Sequence, residues 1–108
     1  MIRLVFTDAA GIHRVVAANA GASVMETAVR SGVREVVGEC GGKLVCGTCH
    51  VFVASGPWTD PADMDDEEDD LLEYTVTPRG KGSRLSCQLI VTEESDGTVL
   101  RLPRAQTL

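Results

Sequence analysis

Aromatic side chains are scarce in this chain: one tryptophan, one tyrosine and two phenylalanines among 108 residues. A core built on stacked rings is excluded, so Val, Leu, Ile and Ala must fill the interior. No apolar run approaches the ~20 residues that a membrane-spanning helix needs, and no membrane partner is expected. The opening "MIRLVFTD" meets Asp8 before an apolar signal segment could form, which gives a cytoplasmic location as the expectation. A chain of 108 residues can bury one modest core, so a single domain over residues 1–108 is expected. Positive charge is missing altogether from Leu44 to Pro78. Nine of the sixteen acids lie there: Asp60, Asp63, Asp65, Asp66, Glu67, Glu68, Asp69, Asp70 and Glu73. The net charge of -6 therefore comes from one segment, since the rest of the chain carries ten bases and seven acids. Such a field repels nucleic acid and suits a basic protein surface.

The pattern of what is present indicates strands and two helices. Ile2, Leu4 and Phe6 alternate, "DAAG" supplies a turn and "HRVVAA" returns, which reads as a hairpin. "SVMETAVRSG" reads as a short helix, with Ser23 and Glu26 spaced as a capping box and Gly32 at the stop. Its buried face is expected to hold Val24 and Ala28, with Met25 and Val29 beside them. "HVFVA", residues 50–54, reads as a strand, and an acidic helix is expected from about Asp65 to Tyr74. "SRLSCQLIV" and "TVLRL" read as further strands flanking the turn "EESDG". Trp58, on a polar loop, is expected to cover the core. Together these predict an α+β domain with a mixed sheet.

Only four cysteines occur, Cys40, Cys46, Cys49 and Cys87, spaced C-x5-C-x2-C-x37-C. A disulfide would need an oxidising compartment that the opening residues do not suggest. Structural zinc sites usually pair two C-x2-C clips, and here one clip stands with a lone Cys87. "CGTCH" also spells a c-type haem attachment site, with His50 on iron, but that leaves Cys40 and Cys87 without a purpose. A 2Fe-2S cluster needs four thiolates, and its plant-type arrangement is C-x4-C-x2-C with a distant fourth cysteine. The loop here is one residue longer. Gly41, Gly42 and Gly47 allow its backbone to approach the sulfides and aim amide N–H groups at sulfur. A cluster is the reading that uses all four thiols.

The sequence resembles the adrenodoxin/putidaredoxin class of 2Fe-2S ferredoxins over almost its whole length. The matching features are C-x5-C-x2-C-H, the acidic "DEEDDLLE" at 66–73, "SRLSCQ" around Cys87, and "V-L-R-L-P" before a short tail. The resemblance implies a β-grasp fold, with Cys40, Cys46, Cys49 and Cys87 as cluster and metal ligands. It implies an electron carrier rather than an enzyme, acting as a monomer between an FAD-containing, NAD(P)H-dependent ferredoxin reductase and a cytochrome P-450 monooxygenase. It also implies that Glu39 helps dock the monooxygenase and that His50 ties the cluster loop to the rest of the domain.

On a helical wheel Asp66, Asp69, Asp70 and Glu73 share one face, with Met64, Leu71 and Leu72 toward the other. Like charges at i,i+4, such as Asp66/Asp70 and Asp69/Glu73, each cost about 0.2–0.5 kcal/mol. Acids near a helix start are favourable, but that does not account for Asp70 and Glu73 in later turns. The resemblance makes Asp66, Glu67, Asp70 and Glu73 the expected partner contacts. The tail "RAQTL" lacks the terminal aromatic of putidaredoxin. Ferredoxins of iron–sulfur cluster assembly are the second reading. They often carry another cysteine after C-x-x-C-H and an Ala-Trp-Gly-like segment after the acidic helix, and "CHVFV" and "LLEYTVTP" have neither. A zinc-stabilised binding module is the alternative from a different class.

Overall fold

A computed structural model describes residues 2–33, 36, 49–59, 64–75 and 77–103. Strands β1 (Ile2–Thr7) and β2 (His13–Ala18) form the expected antiparallel hairpin. Its turn is built by Asp8, whose carboxylate accepts the N–H groups of Ala10 at 2.9 Å and Ile12 at 3.0 Å. Helix α1 (Val24–Arg30) follows with the capping box in place: Ser23 Oγ accepts the Glu26 N–H, and the Glu26 carboxylate accepts the Ser23 N–H. The chain then gives β3 (His50–Ser55), α2 (Asp66–Leu71) continued by a 3₁₀ turn (Leu72–Tyr74), β4 (Ser83–Leu85) and β5 (Val99–Arg101).

The five strands make one mixed sheet in the order β2-β1-β5-β3-β4, with β1 and β5 parallel and the other pairs antiparallel. Ile2, Leu4 and Phe6 point into a core shared with Val24, Ala28, Val51, Leu85 and Leu100. Trp58 and Met64 pack against it, as does the sulfur-bearing Cys87. Gly82 lets the β4 segment come close to β3. A Cβ there would meet the Val53 carbonyl oxygen at 2.5 Å, and its φ of +81° is one that L side chains rarely adopt. Among the described residues no helix is long and apolar enough to cross a membrane.

Two expectations need correction. Val29 is 49% exposed, because it lies about 140° around the helix from Val24, outside the arc occupied by Met25, Thr27 and Ala28. "SRLSCQLIV" is not one strand. It pairs only over Ser83–Leu85, turns through a 3₁₀ segment at Ser86–Gln88, and returns to a single bridge between Ser23 and Ile90. The ladder takes one more bond, from the Ser86 N–H to the Cys49 carbonyl, and ends there, because the Ser86 hydroxyl adds a second bond to that carbonyl and the chain turns into the 3₁₀ segment. "EESDG" likewise closes as a 3₁₀ turn over Glu93–Ser95, with Ser95 Oγ accepting the Thr92 N–H at 2.9 Å.

Candidate functional site

Sheet register brings two of the cysteines together. Cys49 immediately precedes β3 and Cys87 follows β4, and the pairing of His50 with Leu85 aligns these ends. Ser86 staples them: its N–H at 3.0 Å and its hydroxyl at 2.7 Å both donate to the Cys49 carbonyl oxygen. Ser86 is fully buried and Cys49 is 2% exposed. A hydrogen bond between the Cys49 and Cys87 thiols, reinforced by burial, pushes the Cys49 pKa well above the ordinary thiol value. A thiol held protonated in such a place is a poor nucleophile, but a bound metal cation would displace its proton outright. The Gln88 side-chain N–H donates to Cys87 Sγ at 3.4 Å, a contact that favours negative charge on sulfur.

This donor set fits a cluster, since two thiols from distant parts of the chain converge, one buried and one half-buried, with an N–H aimed at one sulfur. Cys49 and Cys87 could therefore supply two of its four thiolates. The other predicted ligands, Cys40 and Cys46, lie outside the described residues, as do Glu39, Gly41, Gly42 and Gly47.

His50 stands next to Cys49 and is fully buried. Its Nε2 shares a 2.9 Å hydrogen bond with Ser83 Oγ, which also accepts the Gly80 N–H at 2.8 Å. The imidazole lies 4.7 Å from the Phe52 ring, tilted by 54°. Burial, helped by the positive charge of Arg79, lowers its pKa to about 4, so the ring is neutral at pH 7. The residue thus ties the start of β3 to the start of β4 and, through Ser83, to Gly80 in the segment before it.

The acidic helix is less uniform than its sequence. Asp66, Glu67, Asp70 and Glu73 are exposed, but Glu68 is completely buried. Its carboxylate accepts from Arg84 through Nε at 2.8 Å and Nη2 at 3.1 Å, and from the Leu85 N–H at 2.8 Å. Arg84 also reaches the Trp58 carbonyl at 3.4 Å. This buried fork fixes α2 to the strand that leads into Cys87. Sequence reading missed it, although Glu68 is the one acid spaced four residues from both Met64 and Leu72, on the apolar side. On the outer side Arg79 bridges Asp69 and Glu73, contacting the latter at 2.7 Å. Two arginines from beyond the base-free segment therefore neutralise part of the acidic run.

Comparison with known proteins accounts for this arrangement. Residues 8–92 match the family described as the 2Fe-2S iron-sulfur cluster binding domain. The chain is 48% identical over 87 residues to rhodocoxin of Rhodococcus erythropolis, covering 80% of each chain. A crystal structure of a ferredoxin from Rhodopseudomonas palustris HaA2 matches with a TM-score of 0.88 at 41% identity, over 97% of this chain and 99% of that one. Putidaredoxin in its covalent complex with putidaredoxin reductase matches with a TM-score of 0.82 at 35% identity, over 94% and 97% of the two chains. These relatives are electron-carrying ferredoxins, which sets aside the zinc-module and haem readings. With a five-stranded mixed sheet, two α-helices and converging thiols among its described residues, the chain belongs to the 2Fe-2S ferredoxins of the putidaredoxin type and is an electron carrier whose cofactor is a 2Fe-2S cluster.

Proposed function

We propose that this protein, as a single cytoplasmic domain and a monomer, carries electrons from an FAD-containing, NAD(P)H-dependent ferredoxin reductase to a cytochrome P-450 monooxygenase. Cys40, Cys46, Cys49 and Cys87 hold the cluster, which when bound accepts and releases one electron at a time. Gly41, Gly42 and Gly47 give the surrounding loop its freedom to approach the sulfides. Ser86 and His50 hold the ligand-bearing segments in place, and Gln88 donates toward sulfur. The observation that carries this reading is the buried Glu68–Arg84 fork, which fastens an acidic, exposed helix to the strand entering Cys87. Charge recognition and electron exchange then occur on one rigid unit. Asp66, Glu67, Asp70 and Glu73, together with Glu39, form the docking surface. The same negative field excludes nucleic acid and anionic membrane as partners.

The test is reconstitution. Anaerobically purified protein should contain iron and inorganic sulfide and bleach on reduction. NADH or NADPH with a ferredoxin reductase should reduce it, and it should then support turnover of a cytochrome P-450. The rate of reduction should fall steeply with added salt. Asp70→Asn with Glu73→Gln should slow electron delivery at low salt while the visible spectrum is preserved. A delivery rate indifferent to ionic strength would count against the docking surface, and a colourless, iron-free preparation against the whole reading.

A further inference from the structure

The chain's one tyrosine stands where the acidic helix ends. Tyr74 is 83% exposed, more than any other large hydrophobic side chain among the described residues. It lines a shallow cleft of about 300 Å³ with Glu67, Asp70 and Leu71. These positions follow one another at intervals of three, one and three, so they form a single stripe along α2 and its 3₁₀ extension. Leu71 packs partly against the core, but the fold makes no use of Glu67, Asp70 or the Tyr74 ring, all of them exposed. The inward side of the same segment is already supplied by Leu72 and Glu68, both fully buried. Nor are its charges answered within the described residues. Arg79 is taken by Asp69 and Glu73, Arg84 is taken by Glu68, and no ion pair reaches Glu67 or Asp70.

An exposed aromatic ring and an aliphatic side chain lining one cleft with two carboxylates have a specific chemical complement. A guanidinium is flat, weakly hydrated and able to stack on a ring while its N–H fork engages carboxylate oxygens. An ammonium is a compact, strongly hydrated point charge and gains less from the ring. We propose that this cleft seats an arginine of the electron-donating reductase, stacked on Tyr74 beside Leu71 and bonded to Glu67 and Asp70. This rests on the proposed electron-carrier function and adds the chemistry of the contact: an arginine is selected over a lysine, and the ring supplies the selection.

Two measurements on the holoprotein separate this inference from the reading beneath it. In the first, oxidised protein is titrated with N-acetyl-arginine amide and with N-acetyl-lysine amide, following the ring signals of Tyr74 and the methyl signals of Leu71 by NMR. The arginine derivative should half-saturate at a concentration at least about threefold lower, the order expected for an exposed cation–π contact. Y74F should keep that preference, and Y74A, followed on Leu71, should lose it. Equal response to the two amides, or a preference that survives in Y74A, overturns the proposal. In the second, reduction by NADH and putidaredoxin reductase should show a KM about fivefold higher for Y74A than for Y74F. Equal KM values for the two variants also overturn it. If the wild-type protein is not reduced by any ferredoxin reductase, the electron-carrier reading fails, whatever the amide titration shows.

Discussion

Two arginines meet the acidic helix from opposite sides, and they do different things. Arg84 and Glu68 are 6% and 1% exposed at their side chains, whereas Arg79 is 28% exposed and its partners Asp69 and Glu73 are 55% and 64% exposed. The inner pair has three well-placed hydrogen bonds on the carboxylate and no water to replace them. Losing one partner strands a charge in the interior. The outer pair exchanges protein contacts for solvent at little cost, so its effect is felt in the field around the helix. One arginine sets where the docking surface sits; the other sets how negative it is.

The sharpest way to break this contrast is to remove the inner guanidinium. Arg84→Ala should destabilise the holoprotein by about 3–5 kcal/mol in denaturant unfolding, because Glu68 is left charged and unpaired. The double change Glu68→Leu with Arg84→Met should cost less than Arg84→Ala alone. If Arg84→Ala proves no more harmful than Arg79→Ala, burial does not distinguish the two pairs.

An intermediate effect is expected at Ser86. Ser86→Ala removes a buried hydroxyl bond but leaves the Cys49 carbonyl its backbone donor, so the loss should be about 1 kcal/mol. It should also hasten cluster loss to a chelator, read as decay of visible absorbance.

The smallest effect on folding belongs to the outer arginine. Arg79→Ala should change stability by less than about 1 kcal/mol. It should instead quicken association with a basic reductase at low salt and steepen the salt dependence, because Asp69 and Glu73 become unneutralised. Stopped-flow reduction at two ionic strengths reads both.

Sequence revealed most where contacts are local. The alternation of Ile2, Leu4 and Phe6, the Asp8 turn and the Ser23–Glu26 box all lie within a few residues of what they organise, and each has its expected form. The spacing of the thiols pointed to a cluster for a similar reason, since a short ligand loop is itself local. The break in "SRLSCQLIV" was hidden because an apolar run does not encode where its partner strand β3 ends, and pairing stops one residue past Leu85, opposite Cys49. The burial of Glu68 was hidden in the same way. Within a run of acids its identity says solvent, and only the guanidinium sixteen positions later reverses that.

The placement of β5 has a consequence for how the protein is made. Within the sheet, β1–β2 is a local hairpin, β3–β4 is an antiparallel pair closed across α2, and β5 is the strand between the two pairs. It is also made after the other four described strands, so a nascent chain holds two separate ribbons, each marginal alone, until Val99–Arg101 clears the ribosome. This strand is the keystone, and a chain cut short before it has no continuous sheet on which to mount its thiols.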